Sequence, residues 1–479
     1  MLTPANMTGT CTKLGTLILL VRALSLNAAE MQRMGHTTLG PRHSLPDDKG
    51  MYAAVIDPVN GYAYFVGSYL FKLDVTGDLP VQVGPAIYTG QFTQGAIDVA
   101  THYGYFPKTT LVRYDLGVGT NAVTGAGSLS LSAGNASCLA LDDSDSNPAN
   151  HYAYVLCTAA GNPARVAKVA LSTFTELGSV TLQPGETNFL LGTLSDAKKG
   201  YAYFVTVPGA SVSPKVLKIK MTAGTNPPVR IGAADLGTIG EFIDGASIDP
   251  VHGFAYYGSY NSDTNILSKV YKVRLEEGDV PPTLVGSVNL LPGEGRLAAS
   301  VLDPANGFVY FANDNSYPGG VYQLSLNGTN VPIEVGFLPF PGGPQVPPPN
   351  GITANNTTTN ADGILPYGEV FLRSAVFDPV RGYAYFGQDS RPNQVVKVRL
   401  AQLEPVTVAG ARVPGSESIQ FSFGNARGAT FHALTSSDLT LPMNGWTDLG
   451  AVTEIAPGQF QFTDSLGSEI QRFYRVFVP

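Results

Sequence analysis

Short apolar runs alternate with polar turns along most of the chain, and the same order of runs recurs. Each unit starts with an apolar run that ends in Asp-Pro-x-x-Gly, continues with Tyr-Ala-Tyr-Phe-Gly or a close variant, and reaches Val-x-Lys-Val-x-Leu after a polar gap. The clearest copies begin at Asp57, Asp249, Asp303 and Asp378. Asp-Pro-x-x-Gly favours a tight turn, and β-branched and aromatic runs between turn formers are typical of strands.

The copies repeat at a regular spacing over most of the chain. Weaker copies centre on Gly104, His151 and Gly200, so the units are anchored at positions 61, 104, 151, 200, 253, 307 and 382. A fourth short run completes a unit, as in residues 177–182 and 285–290. Units of four antiparallel strands at this period, with no helical periodicity, predict an all-β fold in the form of a seven-bladed β-propeller.

The last unit lacks a fourth run of its own. Residues 34–39, which precede the first unit, match the fourth-run pattern of the other units. We therefore expect this N-terminal strand to complete the seventh blade, because pairing of the two ends leaves no open sheet edge.

Composition and charge exclude several classes of protein. Only 14% of the residues are charged while 44% are hydrophobic, which argues against a disordered chain. Three cysteines are too few for a disulfide-dense scaffold. The net charge of −8 predicts no nucleic-acid partner.

The first residues predict export. Lys13 precedes an apolar run over residues 14–26 that ends in Asn27-Ala28-Ala29, the pattern of a signal peptide over residues 1–29. Arg22 interrupts this run, and no other run reaches the ~20 residues of a membrane helix, so no transmembrane segment is predicted. We expect a secreted or cell-surface protein.

The repeat resembles a known type of unit. It is similar to the Asp-Pro-x-x-Gly-Tyr-Ala-Tyr-Phe-Gly…Lys-Val-x-Leu propeller repeats of large secreted or surface proteins of bacteria and some protists, over residues 34–400. This resemblance implies the fold but no particular chemistry.

The tail from Pro405 resembles the small C-terminal β domain of exported Verrucomicrobia-type bacterial proteins. The resemblance lies in Trp446-Thr447, Leu449-Gly450, residues 457–464 and residues 472–476. It implies a small β-sandwich that serves as a spacer, a surface anchor or an export signal. The predicted organisation is a signal peptide over 1–29, a seven-bladed propeller over 30–404 and a sandwich over 405–479.

The loops between second and third strands are the candidate binding surface, because they vary between units and share one face of a propeller. They contain polar side chains with hydrogen-bonding capacity. The candidate ligand-binding residues are Asn261, Asp263, Asn265, Asn313, Asp314, Asp389 and Arg391. A second candidate is the long insertion over about 339–366, which is rich in Pro, Gly, Asn and Thr.

Four glutamates follow a glycine shortly before the innermost strands. They are Glu186, Glu241, Glu294 and Glu369. At equivalent positions of a propeller they would surround one mouth of the central channel and offer oxygen ligands to a cation such as calcium. The alternative is that each glutamate caps a local turn.

Cys138 and Cys157 fall on the first and second strands of the third unit. A cross-strand disulfide is one prediction for an exported chain, and a pair of buried free thiols is the other.

Two functions follow from these features. The first is a non-enzymatic binding or adhesion protein that presents its loop-rich face to a glycan, a surface polymer or a protein. The alternative is an exported propeller enzyme, a lactonase-like hydrolase or polysaccharide lyase, with a cation at the channel mouth. No residue is nominated as catalytic, because no His-x-x-x-His, Gly-x-Ser-x-Gly or phosphate-loop pattern is present.

Overall fold

A computed structural model of the chain describes most of the repeat region and much of the tail. The described residues are 31–40, 50–90, 92, 94–186, 192–206, 213–237, 242–260, 267–291, 294–314, 319–326, 328–340, 369–389, 393–402, 409–412, 418–425, 429–438, 441, 445–465 and 472–477. Residues 30–401 form one compact unit, and the chain from Gln402 to Pro479 belongs to another.

The first described strand, β1 (Gln32–Thr38), pairs with a strand near residue 400. The strands that follow β1 form sheets in chain order. Sheet 1 consists of β2 (Ala53–Asp57), β3 (Tyr62–Val66), β4 (Tyr69–Asp74), β5 (Val81–Gln82) and the short β6 (Ile87–Tyr88), which also pairs with β4. Sheet 2 consists of β7 (Ala96–Asp98), β8 (Tyr103–Pro107), β9 (Leu111–Asp115) and β10 (Thr124–Leu129). Sheet 3 consists of β11 (Asn135–Asp142), β12 (Tyr152–Ala159), β13 (Asn162–Ala170) and β14 (Thr175–Thr181), with a 3-10 turn at Pro148–Asn150.

The later sheets repeat the same antiparallel order. Sheet 4 consists of β15 (Leu194–Asp196), β16 (Tyr201–Val205), β17 (Lys215–Lys220) and β18 (Val229–Asp235). Sheet 5 consists of β19 (Phe242–Asp249), β20 (Phe254–Tyr260), β21 (Lys269–Arg274) and β22 (Thr283–Asn289). Sheet 6 consists of β23 (Leu297–Asp303), β24 (Phe308–Asn313), β25 (Gly320–Ser325) and β26 (Ile333–Pro339). Sheet 7 consists of β27 (Leu372–Asp378), β28 (Tyr383–Gln388), β29 (Gln394–Arg399) and the N-terminal β1.

The prediction of an all-β fold built from repeated four-stranded sheets is confirmed within the described residues. The innermost strands contact one another in chain order, and β27 of the last sheet contacts β2 of the first. β1 pairs antiparallel with β29, from Gln32 opposite Arg399 to Thr38 opposite Gln394. These contacts are the ones that a closed ring requires.

Every innermost strand ends on an aspartate, which explains the turn motif. In sheet 1 the Asp57 carboxylate accepts the Asn60 backbone N–H at 3.0 Å and the Asn60 side-chain amide at 2.7 Å. In sheet 7 Asp378 accepts from the Arg381 backbone N–H at 3.2 Å. The side chain satisfies backbone donors that the turn leaves free. We call the end of the sheets with these turns the turn end, and the opposite end, where the second strands finish, the loop end.

A buried lysine on the third strand joins each of five sheets to the next. These inter-sheet lysines are Lys72, Lys168, Lys218, Lys272 and Lys397, all at most 3% exposed. Lys218, for example, donates to the backbone carbonyls of Leu275 at 2.9 Å and Gly278 at 2.8 Å, in the connection before β22 of the next sheet. Lys397 of sheet 7 donates to the Gly77 carbonyl of sheet 1 at 2.8 Å, so the same contact links the last sheet to the first.

The paired aromatic residues of the second strand complete this joint. The first ring lies under the ammonium group, as with Lys168 Nζ at 3.9 Å from the Tyr152 ring centre and Lys397 Nζ at 3.9 Å from that of Tyr383. The second tyrosine reaches the same connection, since the Tyr154 hydroxyl donates to the Thr222 carbonyl at 3.1 Å. In the five sheets with an inter-sheet lysine, this lysine and the aromatic residue below it therefore form one structural contact.

The C-terminal unit contains two small sheets. One consists of β30 (Ala409–Arg412), β31 (Ser418–Gly424), β34 (Thr453–Ala456) and β35 (Gln459–Ser465), and the other of β32 (His432–Ser436), β33 (Thr447–Ala451) and β36 (Phe473–Phe477). Phe423, Phe431 and Phe460 pack together in a core to which Val476 of the second sheet contributes. Within the described part of the chain, no helix is long and apolar enough to span a membrane.

We expect Lys168→Met to destabilise the protein by about 3 kcal/mol, because carbonyls that now accept from a buried ammonium would lose their donor. These include the Gly224 carbonyl at 2.7 Å. Chemical denaturation measures the change. The matched control Lys198→Met alters an exposed lysine, and its effect should stay below about 0.5 kcal/mol. Equal effects of the two substitutions would contradict a structural role for the inter-sheet lysines.

Deletion of residues 30–40 should leave the hydrogen-bonding edge of β29 unpaired and cause aggregation, since β1 occupies that edge. Light scattering and size-exclusion chromatography measure this outcome. A chain that starts at Glu30 retains β1 and serves as the control. A deletion variant that stays monomeric and equally stable would show that β1 is not needed for closure.

Candidate functional site

The loop end of the ring carries a compact group of charged and aromatic side chains. We call it the mouth cluster, and its members are Tyr52, Asp244, Tyr260, Asp314, Arg373 and Asp389. They come from four consecutive sheets, 5, 6, 7 and 1. Two of them, Asp314 and Asp389, are among the residues that the sequence nominated for ligand binding.

Arg373, on the innermost strand β27, connects the cluster. Its guanidinium donates to Asp314 Oδ2 at the end of β24, and Arg373 Nε lies 3.5 Å from Asp389 Oδ2. The guanidinium carbon lies 5.2 Å from the Tyr52 ring centre and 5.4 Å from that of Tyr260. One cation thus holds two carboxylates between two aromatic rings.

The tyrosine hydroxyls point into the same network. Tyr52 Oη donates to Asp389 Oδ2 at 2.5 Å, and Tyr260 Oη donates to Asp314 Oδ2 at 2.9 Å. Burial, reinforced by the charge of Asp389, raises the pKa of Tyr52 well above its usual range. Burial also raises the pKa of Tyr260. Both hydroxyls therefore stay protonated and act as donors at neutral pH.

Asp314 is the most buried carboxylate of the cluster, at 2% exposure. Burial raises its pKa, although the charge of Arg373 and the hydrogen bonds from Arg373 and Tyr260 act in the opposite direction. Asp314 Oδ1 is buried and has no hydrogen-bond partner among the described residues. A buried, unsatisfied carboxylate oxygen is uncommon in folded proteins.

The backbone next to these groups adopts an unusual conformation at two equivalent points. Arg296 and Phe371, the residues directly before β23 and β27, have φ of 54° and 56°. Their carbonyls accept from the backbone N–H of Asp314 at 2.8 Å and of Asp389 at 2.7 Å. Left-handed backbone at non-glycine residues costs free energy and is concentrated at functional sites.

Three members of the cluster occupy one register position, which the sequence reasoning missed. Tyr52, Asp244 and Arg373 each lie five residues before the turn aspartate of their unit. In β19 and β27 this residue is a β-bulge, since the register shifts between Ile243 and Gly245 and between Leu372 and Ser374. Counting back from the turn aspartates would have found the position, because bulges commonly redirect side chains.

The structure separates the other predicted binding residues. Asn313 is fully buried, and its side-chain oxygen accepts the Gly320 backbone N–H at 3.0 Å, so it holds the β24–β25 hairpin and does not face a ligand. Asn261, Asp263, Asn265 and Arg391 lie outside the described residues. The same applies to most of the long insertion over 339–366.

The described glutamates of the predicted cation site lie beside outermost strands and not beside the innermost strands. Glu186 accepts from Arg230 Nε of β18 at 2.9 Å, and Glu369 accepts from Arg33 Nε of β1 at 2.5 Å. Glu186 also accepts the Gln183 backbone N–H at 2.8 Å, which is the turn-capping alternative. The predicted position at the channel mouth is thus corrected for these two glutamates, because the outermost strands of sheets 4 and 7 supply their partners.

Glu294 occupies the same kind of turn, but its neighbour is another acid. Its side chain accepts the Leu291 backbone N–H at 2.8 Å. Glu334 of β26, which takes the position of Arg230 in β18, has its pKa raised to about 7 by burial and by Glu294. Glu241 lies outside the described residues. Across the described ranges, no three His, Cys, Asp or Glu side chains are grouped as a metal site.

The predicted disulfide between Cys138 and Cys157 is not formed, and both thiols are free and buried. A β-bulge between Ala136 and Cys138 places Cys138 opposite Leu156, while Cys157 lies opposite Ala136. Neighbouring residues of a strand point to opposite faces. The two thiols therefore lie in separate hydrophobic clusters, one with Leu156 and one with Ala136. Burial raises the pKa of each thiol to about 12.

Comparison with known proteins adds little beyond this geometry. No family model and no curated protein matches the chain. Among solved structures it is similar to U3-55K (11% identity, TM-score 0.49, covering 76% of this chain and 98% of that one). The WD40 repeats of RRP9 give 12% identity, a TM-score of 0.48 and coverage of 77% and 99%. Hydrazine synthase of Kuenenia stuttgartiensis gives 10% identity, a TM-score of 0.49 and coverage of 75% and 97%. At such identities these similarities carry no functional information.

Glu334→Arg should stabilise the protein at pH 8 by about 1 to 2 kcal/mol, allowing for solvent screening at this partly exposed site. The folded-state pKa of Glu334, about 7, lies above its ordinary value of 4.5. The charged form is therefore disfavoured by folding, and wild-type stability should fall as the pH rises from about 4.5 to 7. The arginine would recreate the pair that Glu186 makes with Arg230.

Unfolding free energies at pH 5 and pH 8 test this prediction. The control Glu334→Gln removes the repulsion without adding a cation, and it should give a smaller gain at pH 8. A gain from Glu334→Arg that is the same at pH 5 and pH 8 would be inconsistent with a raised pKa of Glu334 in the folded protein.

Proposed function

We propose that this protein is a seven-bladed β-propeller over residues 30–404, closed by its N-terminal strand, with a small β-sandwich over 405–479. The support is the cyclic order of contacts between innermost strands and the β1–β29 pairing. For the tail, the support is the pair of sheets that share an aromatic core. We further propose that residues 1–29 are a signal peptide and that the protein acts outside the cell or on its surface.

We propose that its function is binding, at the mouth cluster, of a glycan, surface polymer or protein. The observation that carries this is the convergence of charged and aromatic side chains from four sheets around Arg373. Such a convergence of charged and aromatic residues is more than the fold requires. The equivalent register position is Ser137 in sheet 3 and Ala298 in sheet 6.

Binding is favoured over catalysis by the position of the carboxylates. The enzyme alternative depended on glutamates around the channel, and two of these are held by arginines beside outermost strands. In the mouth cluster, Asp314 and Asp389 are engaged by Arg373 and the two tyrosines. This arrangement suits recognition of a partner, since hydrogen bonds and ion pairs fix these groups in place.

A binding array of glycans, surface polymers and surface proteins tests this function. We expect the wild-type protein to retain at least one partner and Arg373→Met to lose at least about 90% of that binding, since a hydrogen-bonded ionic contact contributes about 1.5 to 3 kcal/mol. Tyr52→Phe, which removes only one hydroxyl, is a milder variant that preserves packing.

Glu277→Gln is the matched control, because Glu277 is exposed at the turn end and pairs with Lys199. It should bind like the wild type. Undiminished binding by both mouth variants would place the interaction elsewhere on the molecule. Turnover of a bound polymer by the wild type, lost in Arg373→Met, would favour the enzyme alternative.

A further inference from the structure

Asp244 is the one member of the mouth cluster with no hydrogen-bond or ion-pair partner among the described residues. It lies at the bulge of the innermost strand β19 and is partly exposed. The equivalent residues Ser137 and Ala298 also lie at bulges of innermost strands. A bulge at this point therefore forms without a carboxylate, and Asp244 is not required by the fold.

The carboxylate of Asp244 carries a cost in the free protein. Burial raises its pKa to about 6; Arg373 acts to lower the pKa, whereas Asp314 acts to raise it. These two residues are the charged groups that act directly on Asp244. Tyr52, Tyr260 and Asp389 act on Arg373 and therefore affect Asp244 indirectly. An aspartate with a raised pKa disfavours folding at neutral pH. We therefore expect Asp244 to contribute to function and not to stability.

Most donors of the mouth cluster are already used. Arg373 donates to Asp314 and Tyr260, and the hydroxyls of Tyr52 and Tyr260 donate to the cluster's own carboxylates. Arg373 Nε is the exception: it is buried without a hydrogen-bond partner among the described residues, 3.5 Å from Asp389 Oδ2, and so already faces a carboxylate of the cluster. The unsatisfied acceptors are Asp244 and the buried Asp314 Oδ1. A ligand that brings donors would satisfy these acceptors.

The charge of the cluster selects among such ligands. Three carboxylates stand against Arg373. A further cation, Arg296, has its guanidinium carbon 5.9 Å from the Tyr260 ring centre. Arg373 covers one face of the Tyr52 ring and one face of the Tyr260 ring, so only the other face of each ring is open to a sugar. The local field favours a positively charged group and disfavours an anion.

We propose that the mouth cluster binds an organic cation, the ammonium or guanidinium group of a basic polypeptide or a polyamine, with Asp244 as its direct contact. This inference rests on the proposed binding function and specifies its ligand chemistry. The cation replaces the missing partner of Asp244, and its remaining N–H groups supply donors to the mouth. Binding restores the stability that the unpaired carboxylate costs.

The experiment measures binding of the full chain to four probes by calorimetry: hexa-arginine, hexa-lysine, spermine and, as an anionic comparison, hexa-glutamate. At pH 7.5 the cationic probes should bind and hexa-glutamate should not. Asp244→Asn should weaken cation binding by about tenfold, the loss of one charge-assisted contact. Glu277→Gln at the turn end leaves the affinity unchanged. Preference for the peptides over spermine would identify a polypeptide as the source of the cation.

The pH dependence separates a direct contact from a general effect of charge. Wild-type affinity should fall towards that of Asp244→Asn between pH 7.5 and pH 5, as the carboxylate takes up a proton. The affinity of Asp244→Asn should change little over this range. Thermal unfolding supplies the folding control, since Asp244→Asn should melt at the same or a higher temperature than the wild type at pH 7.5.

Equal affinities of the wild type and Asp244→Asn at both pH values would overturn the proposal. So would a clear loss of stability in Asp244→Asn, because that would assign the carboxylate a structural role. If the wild type binds a neutral glycan through the mouth but no cation, the proposed function stands and this inference fails. If no partner binds through the mouth, both fail.

Discussion

The contact between a buried lysine and the backbone of the neighbouring sheet is the interaction on which the ring depends. An ammonium group has three donors, and the connection between third and fourth strands presents carbonyls that no strand satisfies. Lys72, Lys218 and Lys272 each donate to three or more such carbonyls in the following sheet. Because Lys397 reaches from sheet 7 to sheet 1, the same chemistry links the two ends of the repeat array. The aromatic ring beneath each ammonium accounts for the tyrosine-rich second strands.

The two ends of the ring differ in what their side chains do. Those at the turn end hold neighbouring sheets together, and those at the loop end form the candidate binding site. At the turn end, the aspartate of every turn and the inter-sheet lysine of five sheets are used in nearly the same way, so substitutions there disturb packing. At the loop end the register position five residues before the turn aspartate is free to vary, and it holds Tyr52, Ser137, Asp244, Ala298 and Arg373. The mouth cluster arises because only some sheets place charged or aromatic side chains there. A repetitive frame thereby supports a site that has no symmetry.

The outer strands show how little sequence change separates a stabilising contact from a strained one. Glu186 and Glu369 meet Arg230 and Arg33, whereas Glu294 meets Glu334 at the equivalent place. The backbone of the turn is shared, since Glu186 and Glu294 both accept the N–H three residues earlier. Only the partner on the fourth strand differs, and it decides whether the glutamate is paired with an arginine or faces another acid.

The sequence by itself determined the strands, the turns and their grouping into units of four, because each of these depends on residues near one another in the chain. Asp-Pro-x-x-Gly sets a turn and alternating apolar residues set a strand wherever they occur. The tertiary structure alone decided which side chains meet. The mouth cluster joins residues as distant as Tyr52 and Asp389, which approach only when the ring closes. The bulge beside Cys138 turns its thiol away from Cys157, and the outermost strands draw the glutamates away from the centre. Register, bulges and contacts between sheets are long-range consequences of packing, and a local motif does not contain them.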